Sequence, residues 1–186
     1  MRSLLFTLLL SLSAAVSAQE NPVVVMETSM GSIVIELWED RAPVTVENFL
    51  RYTDNDFFSG LVFHRVISGF MIQGGGMDEN LVQKSTYDPI VNEAQADVGN
   101  DRGTIAMART NVVDSATSQF FINLVDNDFL NHTNRTPQGF GYAVFGAVIE
   151  GMDVVDAIAA VETAPGRGGH QNVPVEPVTI VSVSRR

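Results

Sequence analysis

"FHRVISGFMIQGGG", residues 63–76, sets an arginine and a glutamine into two short runs that otherwise have the composition of buried strand. Apolar strand segments fill interiors, and a guanidinium placed among them is costly unless it is paired. If 62–67 and 70–73 are the arms of a hairpin turning at Ser68-Gly69, alternation puts Phe63, Arg65 and Ile67 on one face. Met71 and Gln73 share a face of the returning arm. Arg65 and Gln73 then lie opposite each other, where the glutamine carbonyl can hold the guanidinium in one orientation. Such a pair is a polar spot on an apolar wall, and that wall is expected to face outward.

Working outward from the hairpin, the chain reads mostly as short strands. "VVVMET" and "SIVIELW" flank "SMG", a hairpin signal, and "APVTVENFLRYT" (42–53) changes to a helical period, with Pro43 suited to a first turn and Val46, Phe49, Leu50 and Thr53 on one face. Residues 74–103 are irregular. Strands resume at 104–109, 119–124 and 142–149, a second helix is expected over 152–161, and a Gly/Pro loop leads to a last strand, "VTIVSVS". No internal repeat or linker divides the chain. The expected class is mainly β: a closed eight-stranded antiparallel barrel capped by two α-helices.

The first residues stand apart. "MRSLLFTLLLSLSAAVSA" has a basic start at Arg2, an apolar run from Leu4 to Leu12, and Val16 and Ala18 at the −3 and −1 places of a cleavage site. Residues 1–18 are therefore expected to be a cleaved secretory signal peptide and 19–186 the working domain. The apolar run is about half of the ~20 residues a membrane span needs. An exported protein with no membrane association after cleavage follows, periplasmic in a Gram-negative bacterium and secreted otherwise. Removing Arg2 takes the formal charge from −11 to −12, which disfavours nucleic acid as a partner. The absence of cysteine excludes disulfides, thiolate metal sites and cysteine nucleophiles. "GGG" at 74–76 lacks the lysine and helix start of a phosphate loop and reads as a turn; "DNDFLNHTN" has Leu130 at the fifth place of a calcium loop and no glycine at the sixth; no GxSxG occurs. No cofactor or metal is expected. His64 falls on the strand face opposite Arg65 and reads as structural, whereas His132 and His170 are isolated and expected in solvent. Asn131 and Asn134 begin N-x-T sequons, relevant only in a eukaryotic secretory pathway.

The opening stretch resembles the signature segment of the cyclophilins, the peptidyl-prolyl cis–trans isomerases of the cyclosporin-binding type. "RGTIAMART", "SATSQFFINL" and "FGYAVFGAVIEGMDVVDAI" follow in the family's order, so that the resemblance covers roughly residues 22–184. With the leader and "GYAVFG", the chain is most similar to bacterial periplasmic cyclophilins. The resemblance implies an antiparallel barrel filled by side chains, with the site in a groove on its outer wall. It implies that Arg65 is catalytic and that Gln73 orients it. Phe70, Met71, Phe121 and Leu130 match the walls of a proline pocket, and Ala108, Arg109 and Gln119 the rest of the peptide groove. Phe129 falls where the best-known eukaryotic members have tryptophan, and Tyr142 where they have histidine. Phenylalanine lacks the indole N–H that hydrogen-bonds cyclosporin, so weak cyclosporin binding is expected.

The implied partners are proline-containing unfolded or partly folded polypeptides, with the protein as a monomer assisting the folding of exported proteins. Two rivals remain open at this point. One is a proline-binding holdase with incidental turnover, which would not need the arginine; the other is a barrel carrying a small ligand inside, against which the bulky strand residues argue.

Overall fold

The computed structural model describes residues 20–186; the expected leader lies outside the described residues. Strands β1 (Val23–Thr28) and β2 (Gly31–Leu37) form the first hairpin in the register Val25 opposite Val34. Val24, Met26 and Thr28 alternate inward along β1, as a half-buried strand requires. Helix α1 (Pro43–Asp54) follows, then β3 (Arg65–Ile67), β4 (Met71–Gly74), β5 (Thr104–Met107), β6 (Phe120–Asn123), β7 (Val144–Glu150), helix α2 (Met152–Ala159), the short pair β8 (Thr163–Ala164) and β9 (Val173–Pro174), and β10 (Ile180–Arg185). The Gly/Pro loop hides β8 and β9 from a periodicity reading, because two residues are too few to show a period. Among the described residues no helix is long and apolar enough to cross a membrane.

Eight strands pair antiparallel in the order β10-β1-β2-β7-β5-β6-β4-β3. The expected closure is not met: the sheet is a strongly curled half-barrel, and its end strands β3 and β10 do not pair with each other. Backbone contact across the gap joins the residues before β3 to the start of β10 and the residues before it, with Ile180 N–H donating to the Leu61 carbonyl at 2.7 Å, Gly60 N–H to that of Ile180 at 2.9 Å and Phe63 N–H to that of Val178 at 2.9 Å. The reason is local. β3 is three residues long, and its outward N–H at Val66 donates to the Asn172 carbonyl ahead of β9, at 2.8 Å. That loop occupies the edge a closing strand would need.

The concave side holds the main core. Phe49 on α1 meets Phe58, Phe145 and Phe120 at ring-centroid distances of 5.0, 5.3 and 5.8 Å. Val155 and Ile158 of α2 are fully buried in the same cluster, so side chains from both helices and the sheet occupy the interior. The helical face anticipated for α1 is buried, joined by Thr45, Asn48 and Tyr52. Its N-terminus takes its cap from a distance: Ala42 has no side-chain acceptor, and Glu93 instead accepts from the Val44 and Thr45 N–H groups at 3.2 and 2.7 Å. A carboxylate there also faces the positive end of the helix.

Candidate active site

The hairpin β3–β4 places Arg65 opposite Gln73 and Ile67 opposite Met71. Gly69 turns the chain at φ +71°, a conformation that side chains other than glycine's rarely adopt. The expected face holds for Arg65 and Ile67 and fails for Phe63. Its ring lies wholly buried in the main core, at right angles to Phe120, and Phe63 and His64 precede β3, so the alternation of the strand does not extend to them. Arg65 is half-buried, and its Nη1 donates to Gln73 Oε1 at 3.3 Å. Gln73 Nε2 donates in turn to Gln119 Oε1 at 2.9 Å, so the guanidinium stands at the end of a chain of two amides. The "GGG" segment serves this packing. A Cβ at Gly75 would sit 2.7 Å from the Phe120 ring and one at Gly76 2.4 Å from Gln119 Cγ, so the glycines let the end of β4 press against the approach to β6.

On the convex side of the sheet a second, smaller apolar cluster contains Met71, Ala106, Phe121, Leu130 and Val144. It surrounds a hollow of about 120 Å³. Arg65 and Gln73 form its polar edge, Phe70, Met71, Phe121 and Leu130 its apolar wall, and Ala108, Arg109 and Tyr142 its far side. Tyr142 meets Phe121 edge-on at 5.6 Å, and the Arg65 guanidinium carbon lies 6.0 Å from the Phe70 ring centre. Two of the expected residues do not line it. Gln119 belongs to a neighbouring polar depression of about 290 Å³ that shares Gln73, Ala108 and Arg109 with the hollow. Phe129 is 73% exposed and covers the outside of Phe70, with ring centres 5.5 Å apart. It extends the apolar rim.

Arg109 is present but differently employed. Its Nε donates to the Gly141 carbonyl at 2.9 Å, Nη2 to Pro137 at 2.8 Å and Nη1 to Thr110 at 2.9 Å, while the guanidinium lies 4.8 Å from the Tyr142 ring centre. The side chain ties down the 131–141 loop and backs one wall of the hollow. A larger depression, about 440 Å³, lies between α1 and residues 86–90, bordered by Glu47, Arg51 and Asp88. None of the site residues marked by the sequence lines it.

The histidines divide unevenly. His64 is 4% exposed, and Nδ1 has no hydrogen-bond partner. Burial first, then the nearby His170 and Arg65 charges, push its pKa down to about 4. His132 and His170 are half-buried, contrary to expectation; His132 Nδ1 lies 2.8 Å from the Phe140 carbonyl. For His64 the linkage has a definite sign. The unfolded chain takes up its proton near pH 6.5 and the folded one only near 4, so the stabilisation is complete above 6.5 and is lost as pH falls toward 4. The loss attributable to His64 is about 3 kcal/mol. Urea unfolding of the wild type and His64→Gln at pH 7 and pH 4.5 measures it: the pH dependence of the wild type is expected to exceed that of the variant, and equal slopes would refute the assignment.

Sequence reading passed over residues that hold the site, a set of buried asparagines beneath the hollow at 100, 123 and 127, as it did Glu93, which caps α1 away from the hollow. The spacing of four from 123 to 127 to 131 was the available signal.

With this geometry in view, the likeness to known proteins is specific. Residues 23–185 match the family model of the cyclophilin-type peptidyl-prolyl cis-trans isomerases. The chain is 60% identical over 157 residues to a peptidyl-prolyl cis-trans isomerase of Streptomyces antibioticus, covering 84% of this chain and 94% of the relative. It is 55% identical over 163 residues to peptidyl-prolyl cis-trans isomerase B of Escherichia coli K12, covering 87% and 98%. A solved structure of a Cryptosporidium parvum isomerase of this type, determined in the presence of the dipeptide Ala-Pro, shares the fold at a TM-score of 0.71 and 23% identity, covering 88% of this chain and 98% of that one. The chain belongs to the cyclophilin-type peptidyl-prolyl cis-trans isomerases.

Proposed function

We propose that the isomerase activity of the family is exerted here in the 120 Å³ hollow, on Xaa-Pro bonds of proline-containing, unfolded or partly folded polypeptides. The single observation that carries this is a guanidinium, steered by Gln73, at the edge of an otherwise apolar seat of a size to take a pyrrolidine ring. The presence of Ala-Pro in the Cryptosporidium structure supports the substrate class.

The chemistry asks for little else. Rotation about the imide bond faces a barrier of about 20 kcal/mol because resonance gives C–N partial double-bond character. No bond is broken, so no nucleophile or leaving group enters. In the twisted state the nitrogen lone pair leaves resonance and accepts a hydrogen bond. A donor fixed near that nitrogen stabilises the twisted state more than either planar form, which is the condition for catalysis. Arg65 is that donor, and it also serves the prolyl carbonyl; Gln73 keeps it aimed. Phe70, Met71, Phe121 and Leu130 grip the ring and exclude water, which strengthens the charged contact. Moving a tens-of-seconds event to milliseconds takes about 10⁴-fold, or about 5.5 kcal/mol. One charged donor with desolvation and orientation is of that order. Tyr142, Ala108 and Gln119 line the path of the flanking peptide, and Arg109 supports it through the 131–141 loop.

The setting is an exported protein, periplasmic or secreted, acting as a monomer on other exported chains. The leader-like residues 1–18 support that setting, and the charge of −11 argues against nucleic acid as a partner. Cyclosporin is a weak ligand, since Phe129 has no N–H to offer it. Chemical-shift mapping with a short Ala-Pro peptide tests the placement. Amides of Met71, Ala108 and Phe121 are expected to move while those of Arg51 and Tyr87 stay, and cyclosporin is expected to displace the peptide only well above nanomolar concentration. Movement confined to residues around Arg51 would reject the site, and nanomolar displacement would reject the role given to Phe129.

A further inference from the structure

The two apolar lips of the hollow come from segments outside the sheet ladder. Phe70 sits in the turn between β3 and β4, and Leu130 ends a 3-10 turn, Asp128–Leu130. Each lip has one backbone bond to a strand-flanking residue, the Phe70 carbonyl accepting from Leu124 N–H at 3.0 Å and the Leu130 carbonyl from Tyr142 N–H at 3.1 Å, but neither of these bonds joins one lip to the other. Beneath both lies Asn127, 2% exposed, among the fully buried Asn100 and Asn123.

Asn127 Nδ2 donates to the Phe70 carbonyl at 3.0 Å and to Asn123 Oδ1 at 2.8 Å. Its main-chain carbonyl accepts from Leu130 N–H at 2.8 Å, and its own N–H donates to the Asn100 carbonyl at 2.8 Å. Asn123 Nδ2 is anchored on Thr104 Oγ1 of β5 at 2.9 Å, and Asn100 N–H and Nδ2 both reach Asn131 Oδ1, at 2.7 and 3.1 Å. One residue therefore bonds both lips and ties them to the sheet, through groups that have no water to replace a lost partner. None of these asparagines lines the hollow itself.

We infer that Asn127 is a positioning residue for the isomerisation: it sets the spacing between Phe70 and Leu130 at which the proline ring is gripped. The inference rests on the hollow being the proline pocket. Arg65 hangs from β3 and Gln73 and is not held by Asn127. Loss of Asn127 therefore weakens binding common to the planar and twisted forms, which appears in KM while kcat is largely kept.

The experiment is saturation kinetics on a short Xaa-Pro peptide with the full domain, comparing wild type, Asn127→Ala, Asn127→Ser and Ile158→Ala. Ile158 is a wholly buried residue of the main core in α2, and its truncation destabilises the fold without touching the hollow. Both Asn127 variants are expected to raise KM about tenfold with kcat within about threefold. Ile158→Ala is expected to lower the melting temperature with KM unmoved. The serine variant keeps one donor and serves if the alanine variant does not fold. An unchanged KM in a folded Asn127 variant overturns the inference, as does an equal rise in Ile158→Ala, which would make the effect one of general loosening. If Arg65→Ala abolishes activity while Asn127 variants keep the wild-type KM, this inference alone fails. If Arg65→Ala is as active as the wild type, the pocket assignment fails and takes the inference with it.

Discussion

Replacing Arg65 by alanine is expected to lower kcat/KM on a short Xaa-Pro peptide about 10²- to 10³-fold, the usual loss when one preorganised charged donor is taken from a transition state. Stability is expected to change little. Arg65 is half-buried and makes a single long bond to Gln73, so its removal opens no cavity in the main core and orphans only an amide oxygen near solvent. The free-energy change in urea is expected to stay within about 1 kcal/mol. Arg65→Lys restores the charge but not the planar fork that Gln73 steers. Lysine is a point charge on a flexible stem, so the variant is expected to recover less than about a tenth of the lost rate. A lysine variant near wild-type activity would mean that charge suffices and that the Gln73 contact is incidental.

The second large effect separates neighbours. Phe120 and Phe121 are adjacent on β6, and alternation sends them to opposite sides of the sheet. Phe120 is fully buried in the main core and touches Phe49, Phe58 and Phe63. Phe121 belongs to the convex cluster, where it lines the hollow and packs against Tyr142. Phe120→Ala removes a ring from a closed aromatic cluster and is expected to cost about 3–5 kcal/mol, with activity per folded molecule nearly kept. Phe121→Ala leaves a space that opens to solvent, so its cost is expected to be about half that or less, while kcat/KM falls about 10- to 100-fold through lost grip and admitted water. Paired urea titrations and exchange rates decide it. Were Phe121→Ala to keep its activity, the hollow would not be where proline sits; were the two variants indistinguishable, the two-sided description of β6 would be wrong.

That contrast also marks what was legible in the sequence. A period of two along "QFFINL" and a two-residue turn at Ser68-Gly69 are local facts, and local facts set the register of Arg65 against Gln73. The same holds for α1, whose apolar stripe needed only its own spacing. Most of the wall of the hollow followed from the resemblance, since periodicity alone does not tell a pocket wall from a core wall. The failures involve partners remote along the chain. Whether the barrel closes depends on the Asn172 carbonyl meeting Val66, a contact between segments more than a hundred residues apart. Phe63 was misplaced because the paired strand starts only at Arg65, and the alternation was extended beyond it. Arg109 lines the hollow, but its anchoring on the carbonyls of Gly141 and Pro137 was not legible, because backbone acceptors leave no mark in a residue pattern. Glu93 capping α1 and Asn127 beneath the hollow escaped because their partners too include backbone groups, N–H donors for Glu93 and a carbonyl for Asn127.

Line-shape analysis of an Xaa-Pro peptide held at saturation reaches the central claim most directly, because it yields the interconversion rate on the protein separately from the affinity of the planar forms. If the Arg65 guanidinium favours the half-rotated imide over both planar ones, Arg65→Ala binds the peptide within about threefold of wild type while the bound interconversion slows at least about 100-fold. Weakened binding with an unaltered bound rate would contradict it, since Arg65 would then hold substrate without easing the rotation.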